Sequence, residues 1–187
     1  MNRPLDTDEQ RLLLQTARAA VKAYLETGEQ TNKETENLFL KEKRGAFVTL
    51  KHKGSLRGCI GYPLPTLPLF DTIQVAAVSA ASQDIRFSPL TMEEFPDVQF
   101  EISVLSLPET VSDVSEILVG THGLIVSKGP RKGLLLPQVP LEWEWDRETF
   151  LEHTCLKAGL SKDAWRRGAK IEKFTAQVFS EGDFPSQ

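Results

Sequence analysis

A hydroxyl, a guanidinium and a thiol occupy alternate positions in the run Gly54-Ser55-Leu56-Arg57-Gly58-Cys59-Ile60-Gly61. The outer glycines are turn signals, so the residues between them read as a strand. Side chains alternate along a strand, which puts Leu56, Gly58 and Ile60 on one face and Ser55, Arg57 and Cys59 on the other. A guanidinium near a thiol favours the thiolate, the nucleophilic form of cysteine. Cys59 is therefore a candidate nucleophile and Arg57 a candidate anion contact. The competing reading of Cys59 is a small buried hydrophobe, and that of Arg57 is a surface charge.

Two further residues could handle protons. Glu101 stands mid-strand among apolar neighbours, where glutamate is depleted. Were its strand to neighbour that of Arg57, the two could pair across the sheet and orient Cys59. Glu101 reads equally as a solvating charge on an edge strand. His122, in Gly120-Thr121-His122-Gly123, is either a proton-transfer group or a turn histidine bonding its own backbone. Asp84 and Arg86 are candidate ligand-binding residues, or an ion pair holding a loop. Gln138, after Leu136-Pro137, offers a neutral hydrogen-bonding group. Cys155 lies with Leu151 and Ala158 on one helical face and reads as core.

Composition narrows the classes. The chain has 187 residues, 40% apolar and 26% charged, with a net charge of −4. That fits a single globular domain and argues against a dedicated nucleic-acid binder, although Lys41, Lys43, Arg44, Lys51, Lys53 and Arg57 form a local basic cluster suited to an acidic partner. Cys59 and Cys155 show no metal-type spacing, and neither do His52, His122 and His153, so no metal is expected and a reducing cytoplasm suits the chain. No phosphate-cradling glycine loop is present, and no cofactor is expected. No apolar stretch spans a bilayer, since the run from Ile60 to Phe70 is interrupted by Pro63, Pro65 and Pro68.

The elements that position these residues follow from pattern. Thr7 and Gln10 form a capping box for a helix carrying Leu13, Ala17, Ala20, Val21 and Tyr24 and stopped by Gly28. Gly45 to Lys51 and the Cys59 strand flank His52-Lys53-Gly54 as a hairpin. Thr66 caps a second helix whose face of Leu69, Ile73, Ala76, Ala77, Ala80 and Ala81 lets it approach Gly58 closely. Val98 to Leu105 alternates as a strand. Gly123 to Ser127 and Gly133 to Leu136 form a second hairpin around Lys128 to Lys132. Asp146 caps a helix from Arg147 to Ala158 with Gly159 as its stop, and Lys170 to Ser180 reads as one last strand. Hairpins in place of regular β-α-β crossovers make this an α+β fold, a mainly antiparallel sheet flanked by helices.

Several blocks together resemble the AMME-syndrome candidate-region family, the AMMECR-type domain. They are Gly45-Ala46-Phe47-Val48-Thr49-Leu50 with the Arg57-Gly58-Cys59 run, then Asp84 to Leu90, Glu101 to Ser106, Gly120 to Gly123, Leu134 to Val139 and Cys155 to Leu160. The resemblance implies one AMMECR-type domain over 1–187, with a core of about 8–181 and a larger and a smaller lobe. It also implies Memo-like and radical-SAM-like proteins as partners. It does not fix a reaction. Two functions stand: a small-molecule enzyme using Cys59, or a non-catalytic module binding an anionic ligand or partner protein in the same pocket.

Overall fold

Residues 3–184 are described in a computed structural model. The chain forms two compact units, one holding the sequence up to Leu105 and from Gln177 onward, the other Ser106–Ala176. These are the larger and smaller lobes of an α+β fold. Each is built on its own four-stranded antiparallel sheet, where the sequence had suggested only one sheet.

The larger unit opens with α1, Thr7–Thr27. Its cap is Asp6, not Thr7: the Glu9 amide donates to the Asp6 carboxylate at 2.9 Å, and the Asp6 amide donates to Glu9 at 3.0 Å. Arg3 fixes that Glu9 carboxylate at 2.6 Å, which selects the box one residue earlier. Gly28 ends the helix at φ 77. Strands β1 (Ala46–His52) and β2 (Ser55–Tyr62) form the expected hairpin, with Lys53 at φ 52 and Gly54 at φ 79. Two consecutive positive-φ residues match the right-handed twist of the paired strands.

Helix α2 spans Leu69–Ser82. It starts after Pro68 with no side-chain cap, so Thr66 does not serve as one; Pro68 sets the entry instead. Strand β3 is Val98–Leu105 and β8 is Ala176–Ser180, giving the order β2-β1-β3-β8. α2 lies on β1 and β2, while α1 lies on α2 and β3. The core between them holds Leu13, Val21, Val48, Leu50, Ile73, Phe100 and Ile102.

Close approach of α2 depends on Gly58. A Cβ there would sit 2.2 Å from the Ala80 carbonyl oxygen, so only glycine fits beneath this helix.

The smaller unit contains β4 (Glu109–Thr110), β5 (Gly123–Lys128), β6 (Arg131–Leu135), the short α3 (Val139–Glu142), α4 (Arg147–Lys157) and β7 (Lys170–Phe174). Its sheet runs β4-β7-β5-β6. Asp146 caps α4 by accepting the Thr149 amide at 2.8 Å, and α4 packs on β5 and β6 around Phe150, Leu151 and Cys155. The stretch from Lys170 to Ser180 is two strands, not one. Thr175 separates them, and β7 and β8 join different sheets.

Candidate functional site

The position of Cys59 is set by a bulge. Leu50 opposes Gly58, but the next residue, Lys51, opposes Leu56, leaving Arg57 as the extra residue on β2. A bulge shifts alternation by one position. Leu56 therefore leaves the core face and is 42% exposed, contrary to the simple alternation. Gly58 keeps the core face, and Cys59 the opposite one.

On that outer face Cys59 opposes Thr49, which opposes Glu101 on β3. The row places Cys59 and Glu101 two strand spacings apart, about 10 Å. The Thr49 hydroxyl donates to Cys59 Sγ at 3.2 Å. The Cys59 amide points away from β1 and donates to Asp84 Oδ2 at 2.8 Å. With that amide turned outward, Thr49 and Cys59 face each other as a pair without mutual backbone bonds, the arrangement in which side chains come closest. Cys59 is partly exposed, whereas Cys155 is buried and its thiol is pushed up by burial.

The charges are already paired. Arg57 Nε and Nη2 donate to Glu94 at 2.9 and 3.0 Å, and Nη1 donates to the Ser88 carbonyl at 2.9 Å. Its side chain is only 12% exposed, so the bidentate anion contact suggested by its sequence position is Glu94, an internal one. Those bonds hold the Glu94 carboxyl down at about 2.

Glu101 does not pair with Arg57, because β1 lies between their strands. It accepts from Lys51 Nζ at 2.7 Å. β3 is moreover an inner strand, so Glu101 is no edge charge. Asp84 is buried; Arg86 Nε and Nη2 donate to it at 2.9 and 2.7 Å, holding its carboxyl well below the usual range. Arg86 in turn is pushed up first by Asp84 and, to a smaller extent, by the Cys59 sulfur. Arg86 and the Cys59 amide thus share the Asp84 carboxylate.

His122 and Gln138 belong to the smaller unit. His122 Nδ1 accepts the Leu118 amide at 3.0 Å, and burial, then Lys173, push its pKa down. Gln138 is exposed at the start of α3, where its carbonyl accepts the amides of Leu141 and Glu142. Sequence reasoning missed Thr49, Lys51 and Glu94 as partners. Thr49 was accessible in principle through strand register, but only with the bulge known. Among the described residues no group of three His, Cys, Asp or Glu side chains is placed to hold a metal ion. A cleft of about 820 Å³ on the larger unit is lined by Arg11, Arg18, Gln99, Glu181 and Phe184, and none of the candidate residues lines it.

With this geometry in place, comparison with known proteins decides the family. The family model for AMMECR1 matches residues 14–179. The chain belongs to the AMMECR1 family. A protein of Methanothermobacter thermautotrophicus is 46% identical to this AMMECR1 chain, covering 95% of it and 97% of the relative. One from Methanopyrus kandleri is 44% identical, with 97% and 92% covered. The crystal structure of an uncharacterised protein from Pyrococcus horikoshii is similar with a TM-score of 0.76 and 44% identity, over 90% of this chain and 89% of that one. No helix among the described residues of this AMMECR1 protein is long and apolar enough to cross a membrane.

Proposed function

We propose that this AMMECR1 protein is a binding module whose outer sheet face, around Cys59, Thr49 and Arg86, takes a small anionic ligand without transforming it. One observation carries the reading: the three carboxylates that the strands and loops of the Cys59 region supply among the described residues are each held by a cation. Asp84 is bound by Arg86, Glu94 by Arg57 and Glu101 by Lys51. A general base must be free to accept a proton at hydrogen-bond range, and in this unit these carboxylates are engaged. Arg86, by contrast, is 54% exposed and spends Nε and Nη2 on Asp84, leaving Nη1 for an incoming anion. The Thr49 hydroxyl, bonded to Cys59 Sγ, lies on the same outer sheet face as the thiol.

Memo-like and radical-SAM-like proteins are the partners proposed for such a module. Its two unpaired cysteines suit a reducing cytoplasm.

The test is ligand-induced stabilisation. Phosphate or a small carboxylate raises the melting temperature of the wild type by mass action. The increment is lost in Arg86→Gln and kept in Cys59→Ser. An increment unchanged in Arg86→Gln puts the anion elsewhere and defeats the reading. A second reading, Cys59 as a nucleophile, is favoured by its partial exposure and by the hydroxyl bond to its sulfur. It replaces the first if Cys59→Ser abolishes a turnover that the wild type supports.

A further inference from the structure

The smaller unit carries an exposed aromatic surface that the Cys59 site does not use. α3 is a single short turn, and the chain leaves it through Trp143-Glu144-Trp145. Glu144 adopts φ 53, a left-handed conformation that a residue with a Cβ seldom takes. This position after a helix is usually occupied by glycine. The turn lets the Trp145 amide donate back to the Pro140 carbonyl at 2.8 Å.

The turn also brings the two tryptophans together. Their rings stack with centroids 6.3 Å apart at 20°, and Trp145 stacks on His153 at 3.8 Å and 15°. Trp145 packs against the core of its unit, whereas Trp143 is 67% exposed. Leu141, 59% exposed, lies over Gly120 and extends the apolar area. A strained turn that holds an indole ring in water is poorly explained by stability alone.

The charge beside the ring names the partner's chemistry. Glu148 is taken by Arg166, and Lys162 is the cation nearest Glu152. Glu142 and Glu144, on either side of Trp143, are exposed and form no ion pair among the described residues. An aromatic face attracts cations, and tryptophan does so most strongly. A flat guanidinium can stack on the ring while its edge N–H groups reach carboxylates, a geometry lysine cannot match.

We propose that the Trp143 surface docks a basic segment of a partner protein through an arginine stacked on Trp143 and paired with Glu142 and Glu144. It is a second site, on the smaller unit, and stands independently of anion binding at Arg86.

A short blocked peptide alternating glycine and arginine, labelled for fluorescence anisotropy, is titrated with the full chain. The wild type binds it, and binding weakens as salt rises. Trp143→Ala weakens it about tenfold or more, in keeping with a partly desolvated cation–π contact. The double variant Glu142→Gln/Glu144→Gln, which keeps the turn, weakens it comparably and flattens the salt dependence. The lysine counterpart of the peptide binds less tightly than the arginine peptide to the wild type. Unchanged binding in Trp143→Ala, or equal binding of the lysine peptide, overturns the proposal. So does a concentration-dependent dimer in sedimentation that Trp143→Ala abolishes, since the surface then docks a second copy of this chain.

Discussion

The Asp84 carboxylate accepts the backbone amide of Cys59 at 2.8 Å, closing the exposed edge of β2 with a charge where another strand would otherwise pair. Asp84 ends the segment that leaves α2, so one bond ties helix exit, sheet edge and thiol together. Arg57 repeats the device from the other direction: it leaves the sheet at the bulge and clamps Ser88, Pro89 and Glu94. The charged residues of this run thus first build the loop that walls Cys59. Among the described residues around Cys59, the unspent donor of Arg86, the Thr49 hydroxyl and the sulfur itself remain for a ligand.

The clamp predicts an acid limb of stability. Glu94 titrates at about 2 in the fold against an ordinary value of 4.5. A folded pKa below the unfolded one gives stability that is present above the unfolded value and lost as pH falls through the folded one. Asp84 is depressed further and acts in the same direction at still lower pH. Urea denaturation at a series of pH values is therefore expected to show stability falling from about 4.5 towards about 2. Glu94→Gln lowers stability near neutrality and flattens that fall. An identical acid limb in the variant would mean that the Arg57–Glu94 pair contributes nothing.

Gly58 tests the fit of helix to sheet. A methyl group there meets the Ala80 carbonyl at 2.2 Å, and that atom is backbone in mid-helix, so relief requires α2 to move. Gly58→Ala is expected to cost roughly 1–3 kcal/mol by overpacking, and Gly58→Val more. Chemical denaturation beside the wild type measures both. A neutral Gly58→Ala would show that α2 shifts freely and that close approach is not what fixes this glycine.

Periodicity made the fold class, both hairpins, the core face of α2 and the faces of β3 legible, because each is a local pattern repeated over several residues. The alanines of α2 even pointed to Gly58. The bulge at Arg57 was not legible. Counting back from the Lys53-Gly54 turn pairs Cys59 with Val48, and the extra residue moves its partner to Thr49. Gly58 beside it is a glycine inside a strand, a mark shared by bulges and by close backbone approach, and the approach of α2 already accounted for it. Glu94 was hidden for another reason: its bond to Arg57 spans loops whose path no periodicity encodes. Thr175 likewise divides two strands of alternating pattern that continue one another in sequence but join different sheets.

Lys53 offers a gain of stability. It holds φ 52 at the first position of a two-residue hairpin turn, with Gly54 at φ 79 at the second. Asparagine tolerates the left-handed region better than lysine, and Asn-Gly is the favoured pair for this turn. Lys53→Asn is expected to stabilise the protein by about 0.5 kcal/mol, seen as a raised urea midpoint at unchanged slope. A loss of stability would mean that the lysine makes a compensating contact along the hairpin.

The two cysteines give the sharpest contrast of environment. Cys155 is fully buried on α4 among Phe150, Leu151 and Ile171, and burial pushes its thiol up, away from the reactive form. Cys59 is partly exposed on the outer sheet face, with a hydroxyl bonded to its sulfur. Alkylation needs access as well as thiolate, and both conditions fail at Cys155. Iodoacetamide is therefore expected to label Cys59 in the folded protein while Cys155 reacts only on unfolding, as read by peptide mass spectrometry. Thr49→Val, close in shape to threonine, removes the hydroxyl and is expected to slow labelling of Cys59 by about tenfold or less, the scale of a single hydrogen bond. Arg86→Gln slows it too if its charge acts at the sulfur. Equal and slow labelling of both cysteines would remove the thiol from the site and leave Arg86 and Thr49 as its only ligand-facing groups.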